Sequence, residues 1–349
     1  MKPFPLQTHL LKWYNSRTRE MPWRNHPDPY AVWVSEIMLQ QTQVETVKGY
    51  FTRFMSAFPT VAQLAAAPQQ DVLKAWEGLG YYTRARNLQK AAQLITAQGG
   101  ALPDTSDGWA ELPGVGPYTA AAIASISFGE AVPVVDGNVA RVFARYLGWP
   151  DDFRKLPARE KLAEWLLPFI RKSKRPGDFN QAMMDLGATC CTPRAPLCAE
   201  CPLRKNCLAF REGTQAAFPL KPEKKVLPVR RMVAVYVTDA KGHILFVQRT
   251  DEKLLGGLWE LPMLEVTGKT TTRDAAQALR EKTGLVAQGA KFRGTVEHTF
   301  SHFKQGVDVY AVSGVANTLD KKRYPNVCFA LAKSLPLTTV TRRAIAMLG

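Results

Sequence analysis

Apolar residues in positions 1–220 recur at the spacing of one face of an α-helix. The stripes fit an i, i+3, i+4 pattern at Val44, Val47, Tyr50, Phe51 and Phe54, and again at Leu162, Trp165, Leu166 and Phe169. From residue 232 the pattern changes to alternating and β-branched runs, MVAVYVTD and HILFVQR, which predict a β-hairpin around Ala-Lys-Gly. RDAAQALREKT (273–283) predicts a helix closed by Gly284. We therefore predict an all-α region followed by a mixed α and β region.

Charge changes along the chain in a way that suggests a boundary. The 349 residues carry 46 Lys+Arg and 30 Asp+Glu, a net charge of +16, and 46% are hydrophobic. That length fits two or three domains, and that hydrophobic content excludes a wholly disordered chain. The stretch KPEKKVLPVRR (221–231) is basic and contains two prolines, which is typical of a linker. The alternative is a solvated loop within one domain.

The basic charge favours a polyanionic partner, with nucleic acid first. The longest uncharged apolar stretch, 119–128, is about half the length of a membrane span. The N-terminal MKPFPLQTHLLKWYNSR lacks the apolar core of a signal peptide. We expect no membrane contact, and we expect a monomeric, cytoplasmic protein.

Four of the six cysteines form a C-x6-C-x2-C-x5-C array, made of Cys191, Cys198, Cys201 and Cys207. Dense cysteine without a secretory signal is more typical of a metal site than of disulfides. Four thiolates in one loop suit either Zn²⁺ or an iron–sulfur cluster, and the spacing alone does not separate the two. Cys190 and Cys328 are interpreted as small apolar fillers.

Two further segments carry candidate chemistry. LPGVGPYTA places Gly114, Val115 and Gly116 before an Ala-rich helix, which predicts a hairpin whose backbone N–H groups bind a DNA phosphate. The alternative is an ordinary Gly-rich turn. In AVPVVDGNVARVFARYLG, Asp136 precedes a helix, and by itself it is most simply an N-cap.

LPGVGPYTA, VDGNVARV and the four-cysteine array, in this order, resemble the helix–hairpin–helix DNA glycosylases of the endonuclease III superfamily. The resemblance covers about residues 1–220. PWR (22–24), SEIMLQQTQV (35–44), GLGYYTRARNL (78–88) and FNQAMMDLGATCCTP (179–193) are similar to the MutY-type adenine glycosylases in particular. It implies a six-helix module at about 21–130 and an iron–sulfur module formed by 1–20 and 131–220, holding a [4Fe–4S] cluster on the four array cysteines.

The resemblance also implies catalytic roles. Glu36 matches the general acid that protonates adenine and later activates water, and Asp136 matches the group that stabilises the oxocarbenium ion. Tyr118 and Asn138 match neighbours that hold this charge and geometry. Tyr118 stands where the lyases of the superfamily carry Lys, so no efficient lyase activity is expected. Without the resemblance, Glu36 is best explained as an exposed acid in the first turn of a helix.

Base flipping and recognition complete the implied site. Gln41 and Tyr81 match wedge residues, although paired tyrosines such as Tyr81 and Tyr82 more often pack between helices. The residues matching the adenine pocket are Trp23, Arg24, Leu39 and Gln181, the last standing where some relatives carry Glu.

Residues 232–349 resemble the Nudix-like domain of the same family. Aligned on Gly284, the hydrolase motif keeps only Glu281 of its metal-binding acids, so the hydrolase site is expected to be lost. Phe300, Ser301 and His302 match a loop that contacts 8-oxoguanine.

The function implied is removal of adenine paired with 8-oxoguanine, or with guanine, from double-stranded DNA. Three alternatives stay open: an endonuclease III-like glycosylase with lyase activity, a non-catalytic iron–sulfur protein that binds damaged DNA, and a nucleotide pyrophosphohydrolase.

Overall fold

The computed structural model describes residues 6–17, 19–24, 28–220, 226–250 and 254–348. The chain divides into two compact units, Met1–Ala66 with Asn87–Glu223, and Ala67–Arg86 with Lys224–Gly349. The predicted fold class is confirmed, since helices dominate the first unit and two sheets with flanking helices form the second. The predicted domain limits at 220 and 232 stay a prediction. No helix within the described ranges is long and apolar enough to cross a membrane.

The helices in chain order are α1 Leu6–Ser16, α2 Pro29–Leu39, α3 Val44–Ala57, α4 Val61–Ala66, α5 Gln69–Ala75, α6 Thr83–Ala97, α7 Ser106–Ala110, α8 Pro117–Phe128, α9 Gly137–Leu147, α10 Leu156–Arg171, α11 Pro176–Asp185, α12 Leu208–Glu212, α13 Thr272–Thr283 and α14 Thr339–Leu348. The strands are β1 Val229–Tyr236, β2 Ile244–Gln248, β3 Trp259–Glu260, β4 Met263–Val266, β5 Ala290–Thr299, β6 Lys304–Val312 and β7 Val327–Ala330.

The two predicted apolar stripes lie on α3 and α10, where Val47, Phe54 and Leu162 are fully buried. A large core of the first unit joins α1, α9, α10 and α11 around buried side chains such as Leu10 and Phe143. This core fixes where α9 and α11 begin and end. It thereby sets the positions of the polar groups that these two helices carry.

Helix starts near the candidate site follow local sequence rules. Asp28 caps α2 by accepting a hydrogen bond from the backbone N–H of Tyr30 at 2.9 Å, and Pro29 occupies the first helical position. Pro117 does the same for α8 directly after Gly116. α7 and α8 therefore flank a tight turn over 111–116, as the predicted hairpin requires.

The second unit contains a four-stranded sheet in the order β4-β1-β6-β5 and a three-stranded sheet in the order β3-β2-β7. β1 runs parallel to β6, and the other pairs are antiparallel. Alternate side chains of β1 enter different cores: Val233 and Val235 pack with α13, while Ala234 packs with α14. This alternation is the period-two pattern that the sequence predicted.

The predicted hairpin forms only at its tip. The backbone N–H of Leu245 donates to the carbonyl of Val237 at 3.0 Å, and Thr238 and Ile244 form an isolated antiparallel bridge, but β1 and β2 belong to different sheets. β1 pairs along its whole length with β6, far along the chain. The helix predicted over 273–283 is confirmed as α13, which ends at Gly284 in the left-handed conformation (φ 74°).

Segment 67–86 contacts the strands and C-terminal loops of its own unit. The indole N–H of Trp259 donates to the side chain of Gln70 at 3.0 Å, and the backbone N–H of Leu337 donates to Glu77 at 2.9 Å. Both contacts join residues that are far apart along the chain. The segment that carries Tyr81 is thus tied to the same compact unit as the Phe300–His302 loop.

Candidate active site

Glu36 lies in the interior of α2 and is only 5% exposed. The alternative of an exposed acid in a first turn is therefore wrong, because the helix begins seven residues earlier at Pro29. Burial raises the pKa of Glu36 to about 7, and the charge of Asp136 acts in the same direction. The hydrogen bond from Tyr118 and the charge of Arg24 oppose the rise. A carboxyl group that is about half protonated near neutral pH suits a general acid.

Tyr118, in the first turn of α8, points its hydroxyl at this acid. The hydroxyl donates to Oε2 of Glu36 at 3.1 Å and lies 3.4 Å from the sulfur of Met184. Burial first, and then the charge of Glu36, raise the pKa of Tyr118, so the phenol stays protonated and acts as a donor. Because a phenol holds no amine, this position cannot form a Schiff base.

Asp136 is the N-cap of α9 and also faces the site. Its Oδ1 accepts the backbone N–H of Val139 at 2.7 Å, and its Oδ2 accepts the amide of Asn138 at 2.8 Å. Arg141 in turn donates to the amide oxygen of Asn138 at 2.8 Å. The cap interpretation of Asp136 is therefore correct in geometry, and it orients the carboxylate without excluding a chemical role.

A cavity of about 310 Å³ collects most of the predicted catalytic and adenine-pocket residues. Its lining includes Trp23, Arg24, Glu36, Leu39, Tyr118, Asp136, Asn138 and Gln181. Trp23 is buried and packs edge-on against Phe51, with ring centroids 5.4 Å apart. A largely pre-formed cavity with aromatic walls and two carboxyl groups can hold a purine base.

Asn180 has a role that sequence reasoning missed. It is fully buried in α11 and binds the segment before Asp136 on both sides, accepting from the N–H of Val134 at 3.1 Å and donating to the carbonyl of Val132 at 2.9 Å. These bonds satisfy buried backbone groups outside any helix. Asn180 therefore fixes the strand-like approach to Asp136, and its only sequence signal was its place within the FNQAMMD motif.

The hairpin glycines differ in what they require. Gly114 has φ 79°, and an added Cβ would lie 2.7 Å from the side chain of Asn87. Gly116 has φ −84° and open space around it, so its backbone conformation does not itself require a glycine. Val115 between them is buried. The open face of Gly116 leaves room for another molecule's backbone.

A second cavity, of about 610 Å³, continues from the hairpin toward Asp136. Gly116, Leu39 and Gln41 contribute to its wall. Gln41 is exposed and has φ 57°, a strained conformation for a residue with a side chain. Strain of this kind persists only where the surroundings over-determine the backbone, and it often marks a functional position.

Cys191, Cys198, Cys201 and Cys207 line one small cavity between the end of α11 and α12. Among the described residues no group of three or more His, Cys, Asp or Glu side chains is arranged to hold a single metal ion. Four thiols that line one cavity are a ligand set that either Zn²⁺ or an iron–sulfur cluster can use. Arg145 is buried and donates to the sulfur of Cys191 at 3.3 Å.

In the second unit, Tyr81 and Ser301 meet. Tyr81 is 47% exposed and has φ 48°, whereas Tyr82 is buried and accepts the N–H of Gly78 at 3.0 Å. The alternative in which both tyrosines pack between helices is thus wrong for Tyr81. Its hydroxyl lies 2.9 Å from the hydroxyl of Ser301.

The Phe300–His302 loop packs on a cluster of aromatic side chains. The N–H of Phe300 donates to the carbonyl of Phe303 at 2.9 Å, and the two rings stack with centroids 4.6 Å apart. His298 packs edge-on against Phe300, and its burial lowers its pKa, which keeps the ring neutral near pH 7. Ser301 and His302, in the same loop, are exposed.

The surviving acid of the Nudix motif forms a hydrogen bond within its own helix. Glu281 accepts a hydrogen bond from Gln277 at 2.8 Å, one helical turn earlier on α13. Gln277 stands where the hydrolase motif carries Arg, and Lys269 stands at the first Glu. Of the metal-binding acids of the motif only this one carboxylate is kept, which is a poor ligand set for a divalent cation.

Comparison with known proteins identifies both regions. Residues 34–168 match the model of the HhH-GPD superfamily of base excision DNA repair proteins, and residues 233–347 match that of the NUDIX domain. The chain is 38% identical to the adenine DNA glycosylase of Mus musculus, over 88% of this chain and 70% of that protein. It is 34% identical to the adenine DNA glycosylase of Buchnera aphidicola subsp. Schizaphis graminum, over 84% and 83%.

The chain spans 66% of the length of the adenine DNA glycosylase of Homo sapiens, to which it is 38% identical over 87% of its own residues. Among solved structures, a thermostable thymine-DNA glycosylase superposes with a TM-score of 0.54 and 29% identity, covering 59% of this chain and 95% of that one. An endonuclease III–DNA complex, at TM-score 0.51 and 22% identity, shares the fold over 60% of this chain and 97% of its own.

Proposed function

Because the chain belongs to the adenine DNA glycosylase family, we propose that it excises adenine paired with 8-oxoguanine, or with guanine, from double-stranded DNA. It acts as a monomer on chromosomal DNA in the cytoplasm. The observation that carries the proposal is a pair of carboxyl groups, the buried Glu36 and the half-buried Asp136, lining one cavity large enough for a base. Because the pKa of Glu36 is raised to about 7, its carboxyl group is partly protonated near neutral pH and can act as the general acid.

Adenine leaves poorly as an anion, so it must gain a proton as its bond to the sugar breaks. The protonated carboxyl of Glu36 donates to N7 of the base, and the electron pair of the C1′–N9 bond stays with the departing adenine. The Tyr118 hydroxyl stabilises the carboxylate that remains, through its 3.1 Å hydrogen bond. Water then adds to C1′ and returns its proton to Glu36.

The sugar carries positive charge between these two steps, and Asp136 stabilises it. Burial raises the pKa of Asp136, while hydrogen bonds from Val139 and Asn138 oppose that rise and favour the ionised form. Those same bonds hold the carboxylate in place before the substrate arrives. Asn138 and Arg141 therefore act by positioning Asp136.

The adenine must leave the duplex to reach this cavity. Trp23 and Arg24 form part of the pocket that receives it, together with Leu39 and Gln181. The strained, exposed Gln41 and Tyr81 are the wedges that occupy the vacated space. The turn over Gly114, Val115 and Gly116 binds a phosphate of the bent strand through its N–H groups.

Recognition of the opposite base belongs to the Phe300–His302 loop. 8-Oxoguanine differs from guanine by a carbonyl at C8 and an N–H at N7. The exposed hydroxyl of Ser301 is able to accept from that N–H, and the stacked Phe300 and Phe303 rings hold the loop in shape.

The four array cysteines hold a [4Fe–4S] cluster in this proposal. When bound, such a cluster cross-links the loop between α11 and α12 and adds a centre able to exchange an electron. Arg145 braces the same loop by donating to the carbonyls of Thr192 and Pro193 at 2.8 and 3.1 Å.

A glycosylase assay on duplexes containing A:8-oxoG, A:G and A:C tests the proposal, with strand scission scored before and after alkali. We expect adenine release in the order A:8-oxoG, A:G, A:C, and strand breaks only after alkali. Scission without alkali, together with borohydride trapping as efficient as that of a true lyase, would contradict the monofunctional assignment. Release of a pyrimidine instead would favour an endonuclease III-like activity.

A further inference from the structure

A buried ion pair lies in the same cavity as Glu36. The guanidinium of Arg24 is 2.7 Å from Oδ2 of Asp185, and their side chains are 9% and 6% exposed. Arg19 approaches the other carboxylate oxygen at 3.7 Å. Asp185 is the last residue of α11 and lines the cavity. The family resemblance implies no role for it.

Arg24 is held on one side of the cavity by several groups. Besides Asp185, its guanidinium donates to the backbone carbonyl of Arg19 at 3.4 Å and lies 5.5 Å from the centre of the Tyr14 ring. The other titratable or charged groups around the cavity are Tyr14, Arg19, Glu36, Tyr118, Asp136 and Asp178. Asp178 pairs with Arg175, and Asp136 is bound by Val139 and Asn138.

We infer that Asp185 is a positioning residue whose carboxylate holds the Arg24 guanidinium against the cavity wall and keeps it from pairing with Glu36. A buried guanidinium requires a counter-ion, because its desolvation is costly. With the Asp185 carboxylate removed, Glu36 is another carboxyl that lines the same cavity, and within the described part of the chain it forms no ion pair. A direct pair with Arg24 would hold Glu36 ionised, and an ionised Glu36 has no proton to give.

The electrostatics agree with this geometry. The charge of Arg24 already lowers the pKa of Glu36, although burial outweighs it. The carboxylate of Asp185, 2.7 Å from Arg24, neutralises the charge of that guanidinium. Exposing or removing a neighbouring charge moves the pKa of a carboxyl group by about one unit or more. Replacing either partner should therefore move the ionisation of Glu36, in opposite directions.

The inference rests on the proposed function and is tested by the pH dependence of single-turnover adenine release from an A:8-oxoG duplex. In the wild type, release falls with rising pH as Glu36 loses its proton. In Asp185→Asn, Arg24 is left without its partner, and the midpoint of this fall should move down by about one pH unit. In Arg24→Gln, the Asp185 carboxylate is left instead, and the midpoint should move up.

The double variant Asp185→Asn with Arg24→Gln removes both charges and should return the midpoint to near its wild-type position. Asp178→Asn is the matched control, because it removes a carboxylate from the same cavity but not the partner of Arg24, and its midpoint should stay in place. If Asp185→Asn does not fold, the double variant is compared with Arg24→Gln. A midpoint of the double variant that stays as high as that of Arg24→Gln would show that the Asp185 carboxylate does not act on Glu36, and would overturn the inference.

A merely structural Asp185 would lower the release by Asp185→Asn equally at every pH and leave its midpoint at the wild-type position, and that result overturns the inference. Failure of the wild type to release adenine from A:8-oxoG or A:G at any pH contradicts the proposed function itself. The two failures are therefore distinguishable.

Discussion

The hydroxyl of Tyr118 donates a 3.1 Å hydrogen bond to Oε2 of Glu36, joining two residues 82 positions apart. The contact links the first turn of α8 to the buried interior of α2. It places a donor that stays protonated beside an acid whose pKa burial raises to about 7. In the proposed reaction, the supply of the proton that adenine receives depends on this pair.

Replacing Glu36 with Gln should lower the rate of adenine release by a factor of about a hundred or more, since a general acid contributes on that scale. The same change should stabilise the fold at high pH. Glu36 has a pKa raised on folding, so the native state binds its proton more tightly and loses stability as pH rises from about 4.5 through 7.

Thermal or urea unfolding measures this effect. The free energy of unfolding gained by Glu36→Gln should be about 2 kcal/mol larger at pH 8 than at pH 5. A gain that is the same at both pH values would show that Glu36 is not the buried acid described.

Asp136 has two roles that substitution can separate. Asp136→Asn keeps a capping oxygen for the N–H of Val139 and should change stability little, yet it should lower adenine release about a hundredfold by removing the charge. Asp136→Ala should lose release and also about 1 kcal/mol of stability. Normal release by Asp136→Asn would reduce the residue to a cap and favour a non-catalytic binder.

The exposed pair Ser301 and His302 should determine lesion preference. Changing both to Ala should narrow the preference for A:8-oxoG over A:G by about tenfold, the value of one lost hydrogen bond at a recognition site. Release from A:G should change little, which makes that duplex the internal reference. Thr299→Ala, an exposed hydroxyl at the adjoining strand end, is the matched control and should keep the preference. Equal discrimination in the double variant would refute the loop's role.

Cys198→Ser should reduce the visible absorbance of the purified protein and its iron content, because one of four thiolate ligands is lost. Cys328→Ser is the matched control, since Cys328 lies on β7 in the other unit. Identical spectra for Cys198→Ser and the wild type would show that Cys198 binds no iron. Zinc in place of iron would refute the cluster assignment.

Affinity for undamaged duplex should fall steeply with salt. The net charge of +16 supports several phosphate contacts, and six of them would cost roughly a thousandfold in affinity between 50 and 200 mM salt. The ratio between lesion-containing and undamaged duplex should change much less, because discrimination comes from the cavity and the loop. A ratio that falls in parallel with affinity would place specificity in the backbone contacts instead.

The sequence by itself determined the local elements. Helical spacing on α3 and α10, Gly284 at the end of α13 and the turn before Pro117 follow from side-chain periodicity and from Gly and Pro conformations, which act over a few residues. The motifs also identified Glu36 and Asp136 as candidates, because the residues around each of them form a recognisable sequence pattern.

Only the tertiary structure decided what those residues experience. Burial of Glu36 depends on helices distant in sequence, and so do the bracing of the segment before Asp136 by Asn180 and the pairing of Arg24 with Asp185. The assignment of β1 and β2 to separate sheets likewise depends on β6. Desolvation and ion pairing are set by the packed surroundings in three dimensions, and these surroundings shift a pKa or orient a carboxylate without leaving a local pattern in the chain.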